Sequence, residues 1–332
     1  MKIGIIGGGS WGTTLAQVLY DNNHKSLIYD INEKYVDKIN NHIHPTFNLE
    51  IPNELKGTVD LKEVINYSNY LLIALPTAAI RDVLKKINKL LTKKTYFINV
   101  SKGIEPHTFR RVSEIVSEEI DSKYLGGFVV LTGPSHAEET IQRKLTLLTA
   151  ASYNEELAIN IQNIFSNTKY MRVYRTNDLI GAEVGGAAKN AISIVSGAAT
   201  GLNMGENARA ALITRGVVEI VKLVEIMGGD RETAFGLTGV GDLIVTASSE
   251  NSRNFQAGKR IGEGVPLDQV LGEATQTIEG VRSIMAFHEM ALSKNLDLPI
   301  ISSAYHVLFD NLDIKEAITL LLTRELREEK SF

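Results

Sequence analysis

Several clusters of residues in this 332-residue chain could carry chemistry. The first is Gly7-Gly8-Gly9-Ser10-Trp11-Gly12, with the G-x-G-x-x-G spacing at 7, 9 and 12. It lies between an apolar run, Lys2–Ile6, and a helical pattern, Thr13–Tyr20. In that context Gly7 permits a tight turn, Gly9 lets backbone approach a pyrophosphate, and Gly12 allows helix and strand to pack closely. The amides opening the helix then face the phosphates with the positive end of the helix dipole. This is dinucleotide-binding chemistry, with a glycine-rich turn that holds no ligand as the alternative. Asp30 stands 18 residues after Gly12, at the end of a second β-branched run, Leu27–Asp30. A carboxylate there accepts hydrogen bonds from ribose hydroxyls and repels a 2′-phosphate, which favours NAD over NADP. Capping of a helix that begins near Asn32 also fits it, and the two roles are compatible.

The other clusters suggest proton transfer and anion binding. Lys189 lies in Gly185-Gly186-Ala187-Ala188-Lys189-Asn190-Ala191, where small side chains bring neighbouring backbone close. An ammonium placed there is partly desolvated, which suits it to proton transfer; a snorkelling helix lysine is the alternative. Asp242 follows the turn Gly239-Val240-Gly241 and fits either a helix cap or a carboxylate that fixes an amine. Thr246, four residues on, would share its face in a helical segment. Ser252-Arg253-Asn254 opens a further helical pattern with Ser252 as N-cap. A helix N-terminus with an Arg makes an anion site, although a surface Arg in a loose ion pair is the plainer reading. Lys102 follows the run Tyr96–Val100, and Gly133-Pro134-Ser135 follows Phe128–Leu131. Lys102 lies where open α/β sheets collect ligands, and residues 133–135, which end their strand in the same way, read by themselves as a turn. His42-Ile43-His44 lacks an identifiable carboxylate or Cys partner and sits near Pro45 and Pro52, so it reads as an ordered loop without metal.

The elements that must hold these residues follow from periodicity. Lys2–Ile6, Leu27–Asp30, Tyr70–Leu75, Tyr96–Val100 and Phe128–Leu131 read as strands, separated by amphipathic stretches such as Thr77–Leu91. Thr146–Ala151 and Met171–Tyr174, flanking a helical Glu155–Phe165, extend the same sheet. Alternation of this kind gives βαβ units and a mainly parallel sheet. Beyond about Asn177 long helical patterns take over: Leu179–Leu202, Asn207–Met227, Gly280–Lys294 and Lys315–Glu328. The expected architecture is an α/β Rossmann-like dinucleotide-binding domain, 1–178, and an all-helical substrate-binding and catalytic domain, 179–332.

Composition narrows the partners. With 35 Lys+Arg against 39 Asp+Glu the net charge is −4, which gives no basic stripe for nucleic acid. The absence of Cys removes disulfide scaffolds, Cys-ligated zinc and thiol nucleophiles, and suits a cytoplasmic protein. Ile3–Ile6 is too short for a signal-peptide core. Leu179–Leu202 carries Glu183 and Lys189, and a charge at bilayer centre costs at least ~2.5 kcal/mol, so no membrane insertion is expected.

In order along the chain, Gly-Gly-Gly-Ser-Trp-Gly-Thr-Thr-Leu-Ala (7–16), Ser101-Lys102-Gly103-Ile104-Glu105, Gly133-Pro134-Ser135-His136-Ala137, Lys189-Asn190, Gly241-Asp242-Leu243-Ile244-Val245-Thr246, Ser252-Arg253-Asn254 and Ile278-Glu279-Gly280 resemble the bacterial NAD(P)-dependent sn-glycerol-3-phosphate dehydrogenases. The resemblance implies reduction of dihydroxyacetone phosphate to sn-glycerol 3-phosphate for phospholipid synthesis, by a homodimer. It implies catalytic roles for Lys189, Asp242 and Lys102. Substrate contacts fall on Lys102, Gly133, Ser135, Lys189, Asp242, Thr246, Ser252, Arg253 and Asn254. Cofactor contacts fall on Gly7, Gly9, Ser10, Trp11, Gly12, Asp30, Lys102, Ala137, Arg253 and Glu279. The family often has Arg or His where this chain has Asp30, which favours NAD over NADP here. A two-domain β-hydroxyacid dehydrogenase with a carboxylate substrate and a non-catalytic NAD sensor are the alternative functions.

Overall fold

The computed structural model describes residues 1–274, 277–326 and 328–329. The chain divides into two compact units, residues 1–102 with 110–179 and residues 103–109 with 180–332. The stretch 103–109, on the N-terminal side of the sequence division at 178/179, thus groups with the second unit.

In the first unit the strands are β1 (Lys2–Ile6), β2 (Lys25–Tyr29), β3 (Lys56–Thr58), β4 (Tyr70–Ile73), β5 (Thr95–Asn99), β6 (Leu125–Thr132), β7 (Thr146–Ala151) and β8 (Met171–Thr176). Among the described residues they form one eight-stranded sheet in the order β3-β2-β1-β4-β5-β6-β7-β8. Neighbours run parallel except β6 and β7, which are antiparallel. The helices are α1 (Ser10–Asp21), α2 (Glu33–Asn40), α3 (Leu61–Tyr67), α4 (Thr77–Leu90), α5 (Val112–Glu119), α6 (Ala137–Thr140) and α7 (Glu155–Phe165). Ile3, Ile5, Leu72 and Ile98 are buried with Leu15 and Leu19 of α1, while Ile6, Leu71 and Phe97 are buried with Ile80 and Leu84 of α4. Alternate residues of one strand therefore serve two cores, which is why these strands read as continuous apolar runs. Strand order reverses between β1 and β4. The crevice beyond their carboxyl ends is the place where doubly wound sheets bind ligands.

The second unit is helical: α8 (Leu179–Gly201), α9 (Gly205–Ile226), α10 (Arg231–Phe235), a π-helical turn Leu237–Gly241, α11 (Asp242–Ala247), α12 (Arg253–Gly262), α13 (Leu267–Glu273), α14 (Glu279–Lys294), α15 (Pro299–Phe309) and α16 (Ile314–Leu322). No helix among the described residues is long and apolar enough to cross a membrane. Helices α8 and α12 touch backbone to backbone. A Cβ on Gly197 or Gly201 would stand 2.0 or 2.1 Å from the carbonyl of Phe255 or Lys259. One on Gly258 or Gly262 would stand 1.9 or 2.2 Å from that of Ile194 or Ala198. Each pair is spaced i, i+4, so both glycines face the partner helix. Any side chain there would force the two helices apart.

Sequence and structure differ at several edges. The second strand starts at Lys25 and ends at Tyr29, leaving Asp30 just past it. The last helix stops at Leu322, short of Glu328 in the pattern Lys315–Glu328, and Arg327 of that pattern lies outside the described residues. Strand β3 and helices α3, α5, α13 and α15 have no counterpart in the periodicity reading. They are short or, like α15 (Pro-Ile-Ile-Ser-Ser-Ala-Tyr), apolar on more than one side, so no 3.6-residue stripe stands out.

Candidate active site

In the first unit the glycine loop leaves β1 at Gly7, whose φ is +109° and whose Cβ would sit 2.4 Å from the Ala74 carbonyl beyond β4. A Cβ on Gly12 would sit 1.9 Å from the Gly7 carbonyl. Both positions exclude any side chain. Gly9 differs: a Cβ there meets nothing within 4 Å, so the turn opens onto free space at the first residues of α1, Ser10 and Trp11. A cradle closed behind by Gly7 and Gly12 and open at Gly9 fits a pyrophosphate. Asp30 braces this loop. Its Oδ2 accepts from the Gly8 amide at 2.7 Å and its Oδ1 from the Asn32 amide at 2.8 Å. The cap of α2 is Asn32, accepting from the Lys34 amide, so Asp30 is not the residue capping that helix. Each carboxylate oxygen keeps a further acceptor site that ribose hydroxyls can use.

At the carboxyl end of β5, the Lys102 Nζ donates to the Gly133 carbonyl at 3.0 Å, and the Ser135 hydroxyl donates to the same oxygen at 2.9 Å. Gly133 follows β6 with φ +141°. Behind Lys102, the fully buried Asn99 clips both sides of Ser101: its Nδ2 donates to the Ser101 carbonyl at 3.0 Å and its Oδ1 accepts the Ser101 amide at 3.1 Å. The Ser101 hydroxyl reaches the Leu75 carbonyl beyond β4 at 2.6 Å. Asn99 was missed from sequence, and its one signal is a polar residue in an apolar strand. Ala137 opens α6, buried, with His136 at the cap position.

In the second unit three predicted residues come together. The Lys189 Nζ lies 3.1 Å from Asp242 Oδ1 and donates to the Thr246 hydroxyl at 2.7 Å. That hydroxyl in turn donates to the Asp242 carbonyl at 2.7 Å. The Lys189 and Asp242 side chains are only 7% and 2% exposed. The π-helical turn delivers Asp242 as the first residue of α11, with its carboxylate beside the Lys189 ammonium. Insertions of this kind recur at functional sites because they re-aim one side chain.

Near them, a buried amide chain ties three helices together. Asn254 Nδ2 donates to Asn190 Oδ1, and Asn254 Oδ1 accepts the Gly280 amide, both at 2.9 Å. The Ser252 hydroxyl caps α12 by accepting the Phe255 amide at 3.2 Å. Arg253 is exposed, with an Nη1 contact to the Thr277 carbonyl at 3.3 Å. Glu279 opens α14, partly exposed. Ser252 and Asn254 thus spend polar groups on helix ends. Asn190 belongs to the Lys189-Asn190 motif, with no role of its own assigned from sequence.

The chain matches the family models for the N-terminus and the C-terminus of NAD-dependent glycerol-3-phosphate dehydrogenase over residues 2–158 and 178–319. It is 61% identical to a glycerol-3-phosphate dehydrogenase [NAD(P)+] of Acholeplasma laidlawii, covering 99% of both chains. It is 48% identical to one of Phytoplasma mali over 100% of both. Among solved structures, a glycerol-3-phosphate dehydrogenase of Coxiella burnetii superposes with a TM-score of 0.92 at 33% identity, covering 97% of this chain and 99% of that one.

Proposed function

The chain belongs to the NAD-dependent glycerol-3-phosphate dehydrogenase family and is an NAD(P)-dependent oxidoreductase acting on dihydroxyacetone phosphate and sn-glycerol 3-phosphate, and from that premise we propose that Lys189 is its proton donor. The observation that carries this is the buried triad of Lys189, Asp242 and Thr246. When bound, NADH supplies the hydride that reaches C2 of dihydroxyacetone phosphate. Lys189 protonates the alkoxide oxygen that develops there. Asp242 and Thr246 fix the ammonium in place, so little reorganisation accompanies the transfer. In the oxidation direction the same amine takes the proton back.

Residues 7–12 with Asp30 hold the dinucleotide, and Ser10, Trp11, Ala137, Arg253 and Glu279 add contacts. The Asp30 carboxylate favours NADH over NADPH. Lys102, with Gly133 and Ser135, contributes positive charge and donors at the carboxyl end of the sheet. Arg253, with Ser252 and Asn254 at the N-terminus of α12, receives the substrate phosphate. Residues 1–178 act as the dinucleotide-binding part and 179–332 as the substrate-binding and catalytic part, without metal. A cytoplasmic homodimer that supplies phospholipid synthesis completes the reading.

Lys189→Ala tests it. Loss of reduced-nicotinamide absorbance with dihydroxyacetone phosphate should slow by roughly 10²–10⁴-fold while the Kd for NADH stays within a few-fold. A folded variant that turns over at nearly the parental rate would remove Lys189 from the mechanism.

A further inference from the structure

A fully buried histidine lies beside the glycine loop, outside every role above. His44 sits in the connection between α2 and β3. Its Nδ1 accepts two backbone amides, from Thr46 and Phe47, each at 3.3 Å. A ring nitrogen that accepts carries no proton, so the proton is on Nε2. Nε2 lies 3.2 Å from the carbonyl of Ser10, the first residue of α1, and 3.3 Å from the Thr14 hydroxyl. That hydroxyl donates to the same Ser10 carbonyl at 2.7 Å. The connection is closed on itself around this ring. The His44 amide donates to Leu49 O, the Asn48 amide donates to His44 O, and Phe47 stacks on the imidazole at a centroid distance of 4.5 Å. From α2, Lys38 Nζ donates to Pro45 O at 3.0 Å and to Asn48 Oδ1 at 2.8 Å.

We propose that His44 is a positioning residue for dinucleotide binding. It ties the 43–50 connection to the first turn of α1 and thereby fixes the direction of the amides after Gly9. The proposal rests on residues 7–12 being the pyrophosphate loop. Burial, and to a lesser extent the Lys38 charge, lowers the imidazole pKa to about 4 against the pull of the Ser10 carbonyl. The neutral tautomer that this tie needs is therefore the form present at neutral pH.

Two substitutions divide the ring's contacts. His44→Asn keeps an acceptor for the Thr46 and Phe47 amides and loses the reach to Ser10. His44→Gln keeps a donor at the Nε2 position. With ADP-ribose as probe, which lacks the nicotinamide, titration calorimetry should show His44→Asn weaker by roughly 3- to 10-fold, the equivalent of one hydrogen bond. His44→Gln should recover most of that loss. A folded His44→Asn that binds ADP-ribose as the parent does overturns the proposal. So does equal weakening in both variants with an equal fall in Tm, which would mark a purely structural ring. Gly9→Val separates this from failure of the loop reading, since its side chain enters open space and should abolish binding without unfolding. If Gly9→Val binds normally, the pyrophosphate loop itself is misassigned. If it fails to bind while His44→Asn binds normally, only the role of His44 falls.

Discussion

Replacing Asp242 by Asn removes one charge from the buried pair with almost no change of shape. At the observed 3.1 Å separation and an effective dielectric of about 20, the lost attraction is about 5 kcal/mol. Part of this is offset, because the amide escapes the cost of holding a carboxylate out of water. Breaking one side of a buried pair leaves a net loss of about 3–5 kcal/mol. In a unit of this size that corresponds to a fall in Tm of roughly 6–20 °C. Catalysis should suffer separately. The ammonium loses the group that aims it, and a misplacement of about 1 Å costs on the order of 10²-fold in kcat. Thermal unfolding by circular dichroism and steady-state turnover read the two effects. The discriminating arm is the double variant with Lys189→Met. Removing the second charge should restore most of the stability and none of the activity, since a neutral buried pair is tolerated while the proton donor is gone. An Asp242→Asn protein within about 2 °C and about threefold of the parent would refute the coupling inferred from the geometry. Recovery of turnover in the double variant would remove Lys189 from the chemistry.

Because Asp30 is held at the loop by Gly8, the parent should use NADH over NADPH by about 1–3 kcal/mol in kcat/KM, and Asp30→Asn should narrow the gap; equal use by the parent would show that Asp30 does not face the ribose. Arg253→Ala should weaken use of dihydroxyacetone phosphate by roughly 3- to 30-fold, toward the low end because Arg253 is exposed, and leave unphosphorylated dihydroxyacetone unchanged; equal loss on both substrates would misplace the phosphate. Glu219 caps α15 from α9, its carboxylate accepting the Ile300 and Ile301 amides at 2.6 and 3.0 Å, and burial raises its pKa from 4.5 to about 7 despite those bonds. Its contribution to stability is thus fully present below about pH 4.5 and lost as pH rises through about 7, roughly 3 kcal/mol across the window. Stability measured against pH should lose that slope in Glu219→Gln, and an identical slope in parent and variant would contradict it.

The glycine loop was legible because each of its constraints is local. Gly7 needs a positive φ, Gly12 needs room beside Gly7, and Gly9 needs open space, and all three needs are met by residue type within one strand–loop–helix. Helix α7, Glu155–Phe165, was legible to the residue for a similar reason, with Asn154 as cap and apolar positions at helical spacing. The same locality explains why Lys189 stood out among small residues, and why family motifs in fixed order pointed to one reaction. What a linear sequence cannot carry is the partner of a buried polar group. Asp242 could have capped a helix; a π-helical turn, decided by packing of the Gly185 and Gly239 backbones, aimed it at Lys189, 53 positions earlier in the chain. Ser252 and Asn254 read as ligand residues; that the touching glycines of α8 and α12 also bring Asn254 to Asn190 within α8 and to the Gly280 amide at the start of α14 was decided by the fold. His44 read as one of two loop histidines. Only the fold buries it against Ser10, because a hydrogen bond between residues 34 positions apart is set by how strands and helices stack and leaves no spacing in the sequence.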